Sequence, residues 1–285
     1  MRKLVKKIIV KSIGLYINLL SYVFPEKATR LAYRLFSEPR EGRFRPEEVP
    51  EMLKEAMADM ITHDDMIFQT YTWKGNDQII LLVHGWESNT SRWENFLPYL
   101  KKSGSTIIAL DAPAHGLSSG TEFNIPEYAE FVNILVEKYK PQMMVGHSLG
   151  GATCLYFLEH YQHPSVEKVV ILGAPSELQT ILNNFRNMLS LNTKVFRMME
   201  KYLFQHFKIR AADFSGKKFA SRLKIKGLVA HDEEDTIVDF EEGKQIAEAW
   251  KSAIFIRTKG LGHSLHNREL YQKIYNFLFD KSSVA

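Results

Sequence analysis

Residues 142–160 read QMMVGHSLGGATCLYFLEH, with Gly146-His147-Ser148-Leu149-Gly150 at the centre. An apolar run leads into the serine, and a helical pattern follows it. Glycines on both sides leave room for a strand and a helix to approach each other closely. The stretch therefore predicts a strand that ends at Ser148 in a tight turn and opens directly into a helix.

Working outward, further short apolar runs rich in β-branched residues end in turn signals: QIILLVHGW (78–86), STIIALDAPAHG (105–116), VEKVVILGAP (166–175), RLKIKGLVAHDEED (222–235) and SAIFIRTKGLGH (252–263). Helical patterns such as 125–140 and 241–251 separate them. Buried strands alternating with helices predict an α/β fold, with a mostly parallel central sheet flanked by helices. In such sheets ligands bind beyond the carboxyl ends of the strands, and the unusual residues gather there. Residues 176–221 break the rhythm. They carry no strand pattern and read as amphipathic helices rich in Phe, Leu and Met. Entering after the fourth parallel strand, they are expected to form a helical cap, the plainer alternative being a helical excursion on the sheet's flank.

Composition bounds the function. The 285 residues are 45% hydrophobic and 25% charged, enough apolar content for a substantial core. A single cysteine, Cys154, excludes an internal disulfide and fits a reducing compartment, so the expected location is the cytoplasm. The net charge of +4 is unevenly spread. Residues 1–45 carry 11 Lys or Arg against three acidic residues, and the rest of the chain carries 26 against 30. The domain body is thus acidic, which argues against nucleic acid as a partner.

Residues 1–50 form a basic amphipathic helical extension and a connector; the domain proper is expected over 51–285. In residues 1–24, Lys3, Lys7, Lys11, Gly14, Asn18 and Ser21 recur at three or four residues and mark a narrow polar stripe. Two readings stand level: a helix lying on an anionic membrane surface, which would be the inner face of the membrane, and a helix packed on the protein itself. A cleaved signal or a membrane-spanning helix stands behind them. No small-x-small cleavage site precedes Pro25, and Lys11 and Asn18 interrupt the apolar run.

Gly-x-Ser-x-Gly between a strand and a helix is the pattern of a nucleophile elbow. A serine hydroxyl needs an adjacent base to attack at neutral pH, normally a histidine oriented by a carboxylate. His263 follows the last strand pattern on a loop that can reach the elbow; His266 is its neighbour and rival. For the acid, AHDEEDTIVD offers Asp232, Glu233, Glu234, Asp235 and Asp239 after the strand at 222–230. His231 and Asp232 could ligate a metal, but nothing in their spacing is diagnostic of one, and no cofactor is expected.

Taken together, HGW (84–86), DAPAHGLS (111–118), GHSLG (146–150) and DEEDTIV followed by GLGH resemble the α/β-hydrolase superfamily over about residues 60–283. The resemblance implies a Ser148–Asp235–His263 triad in the order nucleophile, acid, histidine. In relatives the acid lies three residues after a turn residue and three before a valine. Asp235 holds that place between Asp232 and Val238, although the turn residue is usually glycine, which leaves Asp232 as the alternative. The resemblance further implies an oxyanion hole from the backbone N–H groups of Trp86 and Leu149. It gives His84 a bracing role and makes the loop of His115 structural, with Ala114 where relatives carry glycine. A serine where related dehalogenases carry aspartate argues against carbon–halogen hydrolysis. The implied reaction is acyl transfer to water from a small-molecule carboxylic ester or thioester with an apolar group. An acyltransferase on the same residues and a non-catalytic binding protein are the alternatives. No oligomeric state follows from the sequence.

Overall fold

The first two strands were not among the sequence expectations, and they lie at one edge of the sheet. In the computed structural model, which describes residues 2–162 and 164–280, Met57–His63 (β1) and Met66–Trp73 (β2) pair as an antiparallel hairpin. Asp64, at φ 49°, makes the turn. Most of β1 is exposed on both faces, as befits an edge strand, so it lacks the alternation that would reveal it. The six expected strands are all present: β3 (Asn76–Val83), β4 (Ser105–Leu110), β5 (Met143–His147), β6 (Lys168–Leu172), β7 (Lys226–Asp232) and β8 (Ala253–Thr258).

The eight strands form one sheet in the order β1-β2-β4-β3-β5-β6-β7-β8. From β4 onward every pairing is parallel. The central strands are buried on both faces, which is why they read as continuous apolar runs. Along them lie α3 (Glu51–Lys54), α4 (Leu97–Lys101), α5 (Ile125–Tyr139), α6 (Leu149–His160), α9 (Gly216–Ala220), α10 (Phe240–Ala249) and α11 (Arg268–Leu278). One sheet face packs Ile80, Leu82, Val145 and Val170 with Trp93, Phe96 and Ile274 from the helical side. Across the other face, Phe68 of β2 stacks on Phe131 of α5 with ring centroids 4.2 Å apart.

The remaining helices are α1 (Arg2–Val23), α2 (Pro25–Ser37), α7 (Leu178–Leu189) and α8 (Thr193–Phe207). The chain divides into two compact units. One gathers the residues up to Glu38 with Glu177–Ser215; the other holds Pro39–Ser176 and the chain from Gly216 onward. The first unit has its own core, in which Ile17, Ala28 and Ala32 meet Phe185, Leu189, Val195 and Met199.

Within that unit, α1 packs through its polar stripe. Lys11 Nζ donates to the Asn187 carbonyl and to Ser190 Oγ, both at 2.7 Å. Asn18 Nδ2 donates to the Ser190 carbonyl at 2.8 Å, and Asn18 Oδ1 accepts from the Asn192 N–H at 2.8 Å. These bonds add partners for backbone groups where α7 ends and α8 begins, the Ser190 carbonyl and the Asn192 N–H among them. Gly14 allows the approach: a Cβ there would lie 1.7 Å from the Leu189 carbonyl oxygen.

Candidate active site

β5 ends at His147, and α6 begins at Leu149, leaving Ser148 alone to make the turn. Its backbone sits at φ 53°, ψ −127°, a conformation that costs roughly 1–3 kcal/mol and persists only where the surroundings enforce it. The Ser148 N–H donates to the Leu172 carbonyl of β6 at 2.8 Å, pinning the turn to the sheet. Gly150 is required one residue beyond. A Cβ there would lie 2.2 Å from the Val83 carbonyl oxygen and 2.3 Å from that of His84. Strand end and helix start thus crowd together and hold the hydroxyl at the tip of β5.

Three side chains from the ends of three strands meet there. Ser148 Oγ donates to His263 Nε2 at 2.9 Å, and His263 Nδ1 donates to Asp235 Oδ2 at 2.7 Å. The acid at Nδ1 identifies the tautomer, with the free lone pair of Nε2 facing the hydroxyl. Ser148 is 8% exposed, while the His263 side chain keeps 20%.

Asp235 is held from several directions. Its Oδ1 accepts from the N–H groups of Ile237 at 2.8 Å and Val238 at 3.0 Å. His231 Nε2 lies 3.4 Å from Oδ2 and donates to the Val238 carbonyl at 3.0 Å. Burial would raise the carboxyl's pKa. The hydrogen bonds from His231, His263, Val238 and Ile237 outweigh it and hold the group well below the usual carboxylate range. These bonds favour the anionic form of Asp235.

Asp232 sits elsewhere. Its Oδ2 accepts from Thr258 Oγ1 at 2.8 Å and from the Leu261 N–H at 3.0 Å, and its Oδ1 from the Glu234 N–H at 3.0 Å. It ties the end of β7 to the end of β8 and so shapes the loop that carries His263. Burial raises its pKa too, but these backbone and threonine bonds prevail and lower it. Glu233 pairs with Arg257 at the surface, Glu234 is exposed, and Asp239 caps α10 through the Glu241 N–H. None of these three hydrogen-bonds His263 among the described residues. His266 Nδ1 bonds the Tyr271 hydroxyl, and the final helix begins two residues later, at Arg268. Burial lowers the pKa of His266.

His84 and His115 are occupied by backbone. His84 Nε2 accepts from the Ala112 N–H at 2.9 Å and Nδ1 donates to the Gly85 carbonyl at 2.8 Å. His115 Nε2 accepts from the Glu87 N–H at 2.9 Å, and its Nδ1 donates to the Pro113 carbonyl at 2.8 Å. Burial pushes both rings down to about 4, so they are neutral braces of the loops after β3 and β4. Asp111 accepts from the Thr90 N–H at 3.0 Å and hydroxyl at 2.8 Å and from the Leu117 N–H at 3.1 Å, with its pKa raised by burial. Ala114 stands at φ 62°, a left-handed conformation natural to glycine.

Between these loops lie two candidate oxyanion donors. Trp86 follows Gly85, where a Cβ would sit 2.7 Å from the Ser148 Cβ. Leu149 is the first residue of α6, whose opening N–H groups point out of the helix. Among the described residues, neither the Trp86 nor the Leu149 N–H has a hydrogen-bond acceptor. The Trp86 ring packs edge-on against His115 and Phe123, at centroid distances of 5.7 Å each.

Two histidines that received no catalytic or positioning role from the sequence belong to this framework. His231 flanks Asp235 as described. His147 Nε2 donates to the carbonyl of His263 at 2.8 Å, and burial holds its ring neutral. Position 147 lies inside the glycine–serine motif, yet its partner is 116 residues away, so no local signal could have shown the bond. No group of three or more His, Cys, Asp or Glu able to hold a metal gathers among the described residues.

A family profile described as alpha/beta hydrolase fold matches residues 78–224. A bifunctional esterase/perhydrolase of Acinetobacter calcoaceticus is 23% identical over 264 residues, covering 75% of this chain and 95% of that protein. A probable serine hydrolase of Drosophila melanogaster is 33% identical over 108 residues, 34% of this chain and 32% of its own length. Among solved structures, a bromoperoxidase from Bacillus anthracis superposes with a TM-score of 0.62 at 20% identity, covering 79% of this chain and 100% of its own. An esterase from Exiguobacterium antarcticum does so with 0.58 at 17%, covering 79% and 98%. At such identities the superpositions speak for the fold.

Proposed function

The chain belongs to the α/β-hydrolase family, and from that premise we propose that it is a serine hydrolase cleaving a carboxylic ester or thioester through an acyl-enzyme on Ser148. The observation that carries the reading is the hydrogen-bonded run from Ser148 Oγ through the His263 ring to Asp235 Oδ2, at 2.9 and 2.7 Å.

Ser148 Oγ attacks the substrate carbonyl carbon while His263 Nε2 takes the hydroxyl proton. The carbonyl π electrons move to oxygen, and the N–H groups of Trp86 and Leu149 receive the resulting oxyanion. Each such donor contributes about 3–4 kcal/mol in related chemistry. Collapse of the tetrahedral species expels the alkoxide or thiolate, which takes the proton from Nε2–H. Water, deprotonated by the same Nε2, then attacks the acyl-enzyme; the second collapse frees the carboxylic acid and returns the proton to Ser148. Asp235, kept anionic by its hydrogen bonds, holds Nδ1–H in place and stabilises the imidazolium formed twice per cycle. The aromatic wall of Trp86 and Phe123 beside the oxyanion donors favours an apolar acyl or alcohol group.

The test is turnover of p-nitrophenyl esters of increasing acyl length by native protein and Ser148→Ala. The variant should lose at least about a thousandfold in kcat. Equal turnover by the two proteins would remove Ser148 from the reaction. Absent turnover in both, together with no fluorophosphonate labelling of Ser148, would leave a binding protein on this fold.

A further inference from the structure

The helix α1 turns a mixed face inward, in which Ile17 and its apolar neighbours lie beside a polar stripe, and leaves much of its apolar surface open. Its polar stripe, Lys11, Gly14, Asn18 and Ser21, faces the end of α7 and the start of α8. Its opposite face is apolar and open. Leu4, Ile8, Leu15 and Leu19 are exposed by 62, 56, 59 and 60%, and Tyr22 by 69%. Apart from tyrosines, Lys7 and Ser12 are the only polar residues of α1 whose described side chains are exposed. Such a contiguous apolar face on a protein surface marks a binding surface.

We propose that this face lies in the headgroup–acyl boundary of an anionic lipid bilayer and holds the protein on the membrane surface. Charge identifies the occupant. The unit that contains α1 carries 14 Lys and Arg against five acidic residues, and the rest of the chain carries 23 against 28. A second copy laid on this face would bring two such basic units together, whereas anionic lipid neutralises them.

The end of the face has the composition of a membrane interface. Lys194 Nζ stands 4.6 Å over the Tyr22 ring, and Lys27 Nζ stands 5.0 Å over that of Phe24. Aromatic rings with adjacent cations sit where acyl chains meet headgroups. No described helix is long and apolar enough to cross a membrane, so α1 lies in the surface plane. The Lys11 and Asn18 bonds to the α7–α8 turn keep the apolar face pointing outward, so the protein would not need to unfold or rearrange α1 in order to bind.

The experiment is flotation of the full chain with vesicles of phosphatidylcholine, alone or mixed with phosphatidylglycerol. Native protein should float with the mixed vesicles, and less so as salt rises. A Leu15→Asp, Leu19→Asp variant alters only exposed side chains and should keep its circular dichroism. It should lose at least about tenfold in vesicle affinity. Ser148→Ala should bind like the native protein, so this result is independent of the catalytic reading. Three results would overturn the proposal: no flotation of native protein, undiminished flotation of the folded double variant, or self-association through this face that the double variant abolishes in the absence of any vesicle binding.

Discussion

Two aspartates three residues apart carry similar charge and burial but different work. Asp235 meets the His263 ring; Asp232 meets the loop on which His263 rides. The expected outcomes differ accordingly. Asp235→Asn should keep the fold while kcat falls by about 10³–10⁴-fold, because the amide no longer holds Nδ1–H or offsets the imidazolium. Asp232→Asn leaves the carboxylate's backbone donors poorly matched and should cost about 2–3 kcal/mol of stability, with a smaller loss of rate in the folded fraction. Urea unfolding beside steady-state kinetics on both variants would separate the roles. If Asp232→Asn proved as inactive as Asp235→Asn at unchanged stability, the assignment of the acid would fail. The resemblance favoured Asp235 and kept Asp232 as the alternative because both follow the same strand; the turn at Asp235–Val238 aims Asp235 at the histidine.

Among elements, the strand ends carry the residues of the proposed chemistry and α1 carries the least typical packing. The central parallel strands were legible because burial on both faces writes them as unbroken apolar runs. The β1–β2 hairpin was not, since an exposed edge strand leaves little pattern. The stripe along α1 was legible as a stripe, but periodicity cannot say which face of a helix turns inward. Here the inward face combines Ile17 in the unit's core with a polar stripe hydrogen-bonded to a neighbouring turn. Gly14→Val puts atoms onto the Leu189 carbonyl and should part α1 from α7. The expected result is faster tryptic cleavage within residues 7–11 and an overpacking cost of about 1–3 kcal/mol. Cleavage at the native rate would mean that Gly14 is not the contact that seats the helix.

For the whole molecule, buried carboxylates tie stability to pH. Asp232 and Asp235 have folded pKa values below the unfolded one, so their contribution is fully present above about pH 4–5 and fades as pH falls below it. Asp111, raised by burial, runs the opposite way: its contribution fades as pH rises. The stability gap between native protein and Asp232→Asn should therefore stay level from pH 7 to about 5 and narrow below about 4. A gap that is constant down to pH 3 would show that Asp232 is not held as the anion.

The chain's order of apolar runs, its glycine-flanked serine and its late histidine were enough to state the fold class and nominate Ser148 and His263, because each signal is local: a period, a turn, a residue type after a strand; Asp235 came from the resemblance to α/β hydrolases. The hydrogen bond of His147 to a loop 116 residues away, the separate work of Asp232 and Asp235, and the outward apolar face of α1 all depend on which distant backbone groups come within 3 Å or so of a side chain. Such pairings carry no spacing of their own along the chain, so they were settled when the strands registered and the helices packed.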